Sequence, residues 1–297
     1  MGLIQATTAA LVLLAQTGAA SPLVNRAEAS STILDVPEST STVSPDYDWS
    51  SKWETKYQIH HSCNATLRHQ LEAALGETEQ LAKHARDHLL RFGHKSEIVV
   101  KYFGNGSTAE PAGWYDRVVG ADKSDVLFRC DDPDENCKTQ DNWAGHWRGE
   151  NATSETVICD RSFEIRRWLS GMCGMGYTVA GSPTNTFWAT DLLHRVLHVP
   201  EISEGIVDHF AEDYADALRQ AKEEPEKSGR DSDVLQMFAV DAWAYDIAAP
   251  GVGCTGEQEV EEKPASDKAT STSSAAASAT SDADSACHTH DDGFVHC

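Results

Sequence analysis

Positive charge is scarce in this sequence. It has 24 Lys and Arg residues against 47 Asp and Glu, which gives a formal net charge of -23 over 297 residues. Nucleic-acid binding requires a basic face, so this balance argues against a nucleic-acid partner. A negative surface attracts cations, and it also keeps a secreted protein soluble. The composition alone does not decide between these two interpretations.

Long apolar runs are lacking as well. The apolar stretch Ala9–Ala15 is too short to span a bilayer. Small residues follow it at Gly18, Ala19 and Ala20, so residues 1–20 are predicted to be a signal peptide, although the usual basic start is missing. The prediction is a secreted, extracellular protein with no membrane insertion.

Eight cysteines and three Asn-X-Ser/Thr sequons fit secretion. An oxidising compartment favours disulfides over thiolate metal ligands, but it leaves the pairing open. The polar loop between Cys130 and Cys137 is one place where two cysteines could pair with each other. Six cysteines lie in the body of the chain: Cys63, Cys130, Cys137, Cys159, Cys173 and Cys254. The sequons, predicted to carry glycans, are at Asn64, Asn105 and Asn151.

Composition divides the rest of the chain into four parts. Residues 21–46 are rich in Ser, Thr and Pro and are predicted to be a disordered leader, and residues 47–256 are predicted to fold. Residues 257–286 have too few apolar side chains to form a core and are predicted to be a disordered linker. The chain then ends in a Cys/His-rich tail, residues 287–297.

Apolar spacing within the folded part predicts mostly helices with a small sheet, an α+β fold. Leucine and alanine recur every three or four residues over 64–92, which predicts a helix that ends at Gly93. Residues 234–249 predict a buried helix that ends at Pro250. Short apolar or β-branched runs predict strands at 97–103, 125–130 and 155–160.

The main candidate metal site is the stretch "HRVLH". His194 and His198 are four residues apart, so on a helix both imidazoles can point at one Zn²⁺. The segment "GIVDHFAEDY" follows closely and offers further ligands, among them Asp208 and His209. His84 and His88 form a second pair with this spacing, but that pair lacks such context and is predicted to lie on a solvated helix face.

Arg195 occupies the position that Glu holds in His-Glu-x-x-His hydrolases. A guanidinium has no acceptor and stays protonated, so it cannot take a proton from water. Loss of a general base costs about 10²–10⁴ in rate. Three carboxylates, Glu201, Glu204 and Glu212, are candidates to replace it. An ion pair between Arg195 and Asp191 is the structural alternative for the arginine.

The tail "CHTHDDGFVHC" is a second candidate metal site. His288, His290 and His296 are its proposed ligands, with Cys287 and Cys297 as alternates. Imidazole and thiolate suit Zn²⁺. The two cysteines could instead form a disulfide and leave the three histidines to bind the metal.

These motifs together resemble a known family. "HRVLHVPEISEGIVDHFAEDY" and "FAVDAWAYDIAAPGVGC" are similar to the fungal HRxxH secreted proteins, the zincophore or pH-regulated antigen family that includes a major mould allergen. The resemblance extends over about residues 47–297. More distantly, the chain resembles the deuterolysin (aspzincin) metallopeptidases, whose third zinc ligand is the Asp of a Gly-Thr-x-Asp motif. That motif falls on Gly205–Asp208, with Ile206 in place of Thr.

The resemblance implies a metallopeptidase-type domain with a small sheet, a zinc cofactor, and Asp208 as third ligand with His209 as alternate. It also implies a function: scavenging of extracellular zinc and its return to the cell surface through a plasma-membrane zinc transporter, with host proteins as further partners. Two alternatives stay open. One is an aspzincin-like zinc metallopeptidase, and the other is a surface interaction protein whose zinc is structural.

Overall fold

The computed structural model describes residues 56–140 and 142–257, together with the backbone of 288–289 and 295–296. The predicted signal peptide and leader, nearly all of the predicted linker, and Cys287, His290 and Cys297 lie outside the described residues. No helix in the described part has both the length and the apolar character needed to cross a membrane.

Helices make up most of the described chain, as predicted, with short 3₁₀ turns between some of them. The helices are α1 (Ala65–Phe92), α2 (Glu97–Phe103), α3 (Ala109–Gly120), α4 (Asn136–Thr139), α5 (Asp160–Ile165), α6 (Trp188–Leu197), α7 (Pro200–Ser203), α8 (Tyr214–Glu223), α9 (Pro225–Ser228) and α10 (Ser232–Trp243). A π-helical turn, Ala244–Ala248, continues α10.

The sheet contains four short strands. They are β1 (Gln58–Ile59), β2 (Leu127–Arg129), β3 (Gly145–Trp147) and β4 (Glu155–Ile158). The strand order is β1-β2-β4-β3, with β1, β2 and β4 parallel and β3 antiparallel to β4. The strands predicted within 125–130 and 155–160 are confirmed, and so is the α+β class with a small sheet. Two further strands, β5 (His288–Thr289) and β6 (Val295–His296), pair with each other in the tail.

Helix α1 confirms the helix predicted over 64–92. The side chain of Asn64 caps it by accepting hydrogen bonds from the backbone N–H groups of Thr66 and Leu67 at 2.9 and 3.0 Å. Gly93 ends it with φ of 50°, a backbone angle that favours glycine. One face of α1 packs against α3, α6 and α10, which places the hydrophobic core between these helices.

The strand predicted at 97–103 is wrong, because these residues form helix α2. Ser96 caps this helix by accepting a hydrogen bond from the N–H of Val99. Val99, Tyr102 and Phe103 are buried, and their spacing of three and four residues is helical. Contact with α8 and α10 outweighs the strand preference of the β-branched residues.

Three disulfides fix the pairing of the six body cysteines: Cys63–Cys130, Cys137–Cys159 and Cys173–Cys254. The predicted pairing of Cys130 with Cys137 across their own loop is wrong. Cys130 follows β2 and joins the chain just before α1, whereas Cys137 in α4 joins the end of β4. The first two disulfides therefore link the ends of β2 and β4 to segments outside the sheet, and neither closes the loop between Cys130 and Cys137.

Candidate metal centre

Helix α6 carries the first two histidines into the interior. His194 is 1% exposed, and His198, at the C-terminal cap, is half-buried. Their Nε2 atoms are 3.2 Å apart, because residues four apart lie one above the other on a helix. The predicted helical pair therefore does direct both imidazoles to one point.

The structure brings His209, and not Asp208, to the same point. The Nε2 atom of His209 lies 2.9 Å from that of His198. Asp208 is exposed, and its carboxylate accepts a hydrogen bond from the backbone N–H of His209. The reason lies in the backbone pairing, since Asp208 forms a short parallel bridge with Asp231. Successive side chains of an extended segment point in opposite directions, so Asp208 faces out and His209 faces in.

Hydrogen bonds at the far side of the rings fix the tautomers of two of these histidines. The Nδ1 atom of His194 lies 3.1 Å from Oε1 of Gln236, whose amide nitrogen donates to the Thr190 carbonyl at 2.8 Å and to Asn185. The oxygen of Gln236 must therefore face His194 as an acceptor. His209 Nδ1 lies 2.9 Å from a carboxylate oxygen of Asp233. Both rings thus donate from Nδ1 and present the Nε2 lone pair to the centre.

This donor set fits a zinc ion. Nε2 atoms bound to one tetrahedral Zn²⁺ at about 2.0–2.1 Å lie about 3.3 Å from each other, close to the 3.2 and 2.9 Å observed. A metal ion can accept the lone pairs of all three Nε2 atoms at once. Without a metal, a proton on Nε2 of His198 can be donated to only one of the two neighbouring Nε2 atoms at a time. Ligating histidines characteristically donate their other ring nitrogen to a carboxylate or carbonyl oxygen, as His194 and His209 do. His194, His198 and His209 would hold the ion and leave a fourth position open.

Arg195 points into a buried ion-pair network. Its guanidinium donates twice to the carboxylate of Asp191, at 3.0 Å each, and Arg166 donates to the same carboxylate at 2.8 Å. The predicted pair with Asp191 is confirmed. Arg195 is 1% exposed, and a Cβ added to Gly145 would come within 3.0 Å of its guanidinium carbon. Glycine at this position of β3 therefore makes room for the arginine.

The carboxylates predicted as replacement bases lie in different surroundings. Glu201 accepts a hydrogen bond from the hydroxyl of Ser154. Glu204 forms an ion pair with Arg117 at 2.9 Å. Glu212 is exposed and lies three residues after His209, in the loop that leads to α8.

Buried acids lie beneath His209. Asp231 caps α10 by accepting from the N–H of Val234, and its other oxygen accepts from the N–H groups of Phe210 and Ala211. Burial, with the charge of Asp233, raises the pKa of Asp231 to about 6, although these N–H groups oppose the rise. The hydrogen bonds hold the segment that carries His209 against the start of α10.

Two other groups of candidate ligands occur in the described residues. Cys137, His146 and Cys159 lie together, but the cysteines form a disulfide and cannot act as thiolate ligands. His84, His88 and Asp246 form the other group. The prediction that the His84/His88 pair lies on a solvated face is wrong, because His88 is buried and both rings face the Asp246 carboxylate.

Little of the tail site falls within the described residues. His288 stands opposite His296 in the ladder between β5 and β6. The remaining predicted ligands, His290 and the alternates Cys287 and Cys297, lie outside the described residues.

Comparison with known proteins identifies the family. Residues 8–257 match the HRXXH family, described as a "Putative peptidase family". The chain belongs to the HRXXH family. His194, Arg195 and His198 supply the residues of the name, and the matched region ends before the tail.

Members of the HRXXH family from several fungi are similar to the chain over most of its length. Major allergen Asp f 2 of Aspergillus fumigatus is 52% identical over 84% of this chain and 87% of that protein. The pH-regulated antigen PRA1 of Candida albicans is 50% identical over 71% of each. Protein ZPS1 of Saccharomyces cerevisiae is 33% identical over 67% of this chain and 79% of that protein. Among solved structures, a zinc peptidase from Grifola frondosa is 16% identical, with a TM-score of 0.45 over 60% of this chain and 97% of that one.

Sequence reasoning did not find the residues that support the HRXXH histidines. Gln236, Asn185 and Asp233 come from distant parts of the chain and are fully or almost fully buried. Gln236 and Asp233 were hidden within an otherwise apolar helical pattern. Their signal was the presence of polar side chains at core positions, since a buried polar group requires a partner.

Proposed function

We propose that this protein is a secreted zinc scavenger of the zincophore type. It binds extracellular zinc at His194, His198 and His209 and at the tail, and it returns the metal to the fungal cell surface. Relatives that are named as an allergen and as a pH-regulated antigen support an extracellular location, free or cell-surface associated. A plasma-membrane zinc transporter would receive the metal, and host proteins are further partners in this proposal.

One observation carries the proposal: three imidazole Nε2 atoms converge while the neighbouring arginine is turned away into an ion pair. The Nε2 separations of 3.2 and 2.9 Å suit a shared metal ion. Arg195 stands where the hydrolases have Glu, and its guanidinium, which has no acceptor, donates to Asp191, so this position supplies no general base. A centre that binds zinc without activating water for attack serves capture of the metal.

The tail supports capture by adding a second group of ligands. His288 and His296 stand in register across β5 and β6, and all the proposed ligands of the tail lie within the eleven residues 287–297. Residues 257–286 tether the tail to the folded part, and a tether of about 30 residues raises the effective concentration of one module near another to the millimolar range. Metal captured by the tail could therefore pass to the folded centre.

Calorimetric titration of zinc tests the binding. Four full-length proteins are compared: the wild type, His194→Ala, a tail variant in which His288, His290 and His296 are replaced by Ala, and the variant that combines both changes. We expect each variant to lose part of the zinc bound by the wild type, and the combined variant to lose the sum of both. Equal binding by all the proteins would contradict both sites.

The alternative is an aspzincin-like peptidase, and hydrolysis of casein tests it. We expect no zinc-dependent cleavage above that of His194→Ala. Glu212 is the replacement base to examine, so Glu212→Gln is assayed beside the wild type. Cleavage that is lost in both His194→Ala and Glu212→Gln would establish a peptidase.

Growth of zinc-starved fungal cells tests delivery. Zinc-loaded wild-type protein should restore growth in medium that contains a chelator. Protein that lacks both His194 and the tail histidines, mixed with the same total zinc, should not. Equal rescue by the two would show that the bound metal is not the source. If instead zinc raises stability without any rescue, the structural-zinc alternative is favoured.

A further inference from the structure

A second cluster of ligand atoms lies apart from the HRXXH histidines, between α1 and the end of α10. His84 Nε2 lies 3.0 Å from Oδ2 of Asp246, and His88 Nδ1 lies 2.7 Å from the same oxygen. His84 and His88 are one turn apart on α1. Asp246 is in the π-helical turn Ala244–Ala248, and single turns of π-helix occur frequently at functional sites.

The position of Asp246 calls for a cation. A carboxylate at the C-terminal end of a helix faces the negative end of the helix dipole, which is unfavourable unless a positive charge is close. The imidazoles of His84 and His88 both face the Asp246 carboxylate. The side chains of Asp246, His84 and His88 are 25%, 18% and 4% exposed. A metal ion would supply the charge and use the imidazole lone pairs.

Packing holds the two imidazoles in place. The Nε2 atom of His88 lies 2.8 Å from the hydroxyl of Ser96, which leaves Nδ1 for the cluster. The ring of His88 also packs edge-on against Phe238. The ring of His84 packs edge-on against Trp243, with 5.3 Å between ring centroids. Ligands that are preorganised in this way lose little freedom when an ion binds.

Solvent reaches the cluster through a cleft of about 340 Å³. His88 and Asp246 line the cleft together with Ser96 and the exposed Glu97. An ion can therefore enter without opening of the core, and a water molecule can occupy a fourth position.

We propose that His84 Nε2, His88 Nδ1 and the carboxylate of Asp246 bind a second dication of the Zn²⁺ class. Two imidazoles, one carboxylate and a water form a common zinc sphere, with ligand atoms about 3.3 Å apart. The two nitrogens lie 3.0 and 2.7 Å from the carboxylate oxygen, so these separations need to widen by about 0.3–0.6 Å to take in the ion. This site shares no ligand with the HRXXH centre, so its zinc binding can be tested separately from the proposed scavenging function.

Equilibrium dialysis against Zn²⁺, with metal analysis of the protein, tests the site. The background is the full-length chain with His194, His288, His290 and His296 replaced by Ala, which silences the other proposed sites. We expect this protein to retain about one zinc per chain. His84→Ala and Asp246→Asn should each abolish that binding, whereas His69→Ala, an exposed histidine on the same helix, should not.

Two features of the design separate ligation from folding. Asp246→Asn keeps the size of the side chain and one hydrogen-bond acceptor, so it decides the question even where His84→Ala impairs folding. Cobalt substitution adds a spectroscopic test, because four-coordinate Co²⁺ absorbs visible light strongly, and the band should vanish in Asp246→Asn. If the background protein binds no zinc, or if His84→Ala and Asp246→Asn bind as much as His69→Ala, Asp246 is only the ion-pair partner of two histidines.

Discussion

Single hydrogen bonds determine whether the three histidines of the HRXXH centre, His194, His198 and His209, can accept a metal. Gln236 is fully buried and is oriented by Thr190 and Asn185, so that its oxygen faces His194. The side chain never reaches the metal position itself. Its role is to keep the His194 lone pair on the side where His198 and His209 converge.

Replacing Gln236 should therefore weaken zinc binding without removing a ligand. For Gln236→Met, which keeps the volume of the side chain, we expect the zinc Kd of the folded centre to rise about 10–100-fold. Calorimetry on the full-length tail variant that also carries Asp246→Asn isolates this centre. Gln70→Met, at a half-buried glutamine of α1, is the control. An unchanged Kd in Gln236→Met would mean that His194 does not depend on this partner.

Asp191 is the centre of the buried charge network around Arg195. It is bound by two arginines, so Asp191→Asn leaves two buried guanidinium groups without their shared anion. We expect Asp191→Asn to cost about 3–5 kcal/mol in the free energy of unfolding. Arg195→Met should cost less, because Arg166 still neutralises Asp191. Urea unfolding measures both variants, and a larger loss in Arg195→Met would overturn this view of the network.

The sequence predicts some of these residues and not others for a physical reason. His194 with His198 and Asp191 with Arg195 are pairs at i and i+4, a spacing that any helix converts into contact. The choice between Asp208 and His209 depends on a bridge to Asp231, far along the chain. No local pattern contains that register, and a shift of one residue would exchange the two side chains.

At the scale of elements, the secondary structure predicted from the sequence is wrong where contacts between helices override the strand propensity of the residues. Helix α2 has the composition of a strand, but Ser96 starts it and Gly104 ends it. Gly104 has φ of 54°, and a Cβ at this position would lie 2.0 Å from the carbonyl oxygen of Ala221 in α8. The close approach of α2 to α8 thus depends on the absence of a side chain.

Gly93 and Gly104 make a matched pair that tests this packing. Gly93 has a similar φ of 50°, but a Cβ added there would meet no atom of the described residues within 4 Å. Gly93→Ala should cost only the backbone strain, about 1–3 kcal/mol. Gly104→Ala should cost clearly more, because α2 and α8 must also separate. Chemical denaturation compares the two, and equal losses would show that the contact with Ala221 is not limiting.

At the scale of the whole molecule, arginine–carboxylate pairs near the sheet link stability to pH. Hydrogen bonds from Arg129 lower the pKa of Asp131, and hydrogen bonds from Arg148 lower the pKa of Asp134. Burial by itself would raise the pKa of Glu155, but hydrogen bonds from Arg148 and Arg129 outweigh burial, so that this pKa is lowered too. Carboxyl groups with lowered pKa values stabilise the fold above their unfolded pKa, about 4, and this contribution is lost as pH falls further.

Asp134→Asn should show this dependence. The side chain of Asp134 is 15% exposed and binds Arg148 at 2.7 and 3.0 Å. We expect the variant to lose about 1.5–3 kcal/mol at pH 7. The difference should shrink as pH falls below the unfolded pKa of Asp, about 4, towards the lowered pKa of Asp134. Thermal unfolding across pH provides the measurement, with the exposed Asp125→Asn as control. A constant difference at all pH values would exclude the ionised carboxylate as the cause.

The general organisation of the molecule was predictable, and its long-range connections were not. Apolar periodicity indicated α1, the region of α10, and the strands β2 and β4, since these features are local. The disulfide partners of Cys130 and Cys173 lie 67 and 81 residues away, and spacing along the chain holds no record of such pairings. The cluster of His84 and His88 with Asp246 was missed for the same reason.

The central claim is that three histidines of the HRXXH centre bind zinc, and zinc content of the neighbouring variants His209→Ala and Asp208→Ala tests it most directly. Both are made in the full-length tail variant that also carries Asp246→Asn, and metal is measured after equilibrium dialysis. The account predicts that His209→Ala loses the zinc of the folded centre, as His194→Ala does, while Asp208→Ala keeps it. Loss of that zinc in Asp208→Ala, with retention in His209→Ala, would contradict the account.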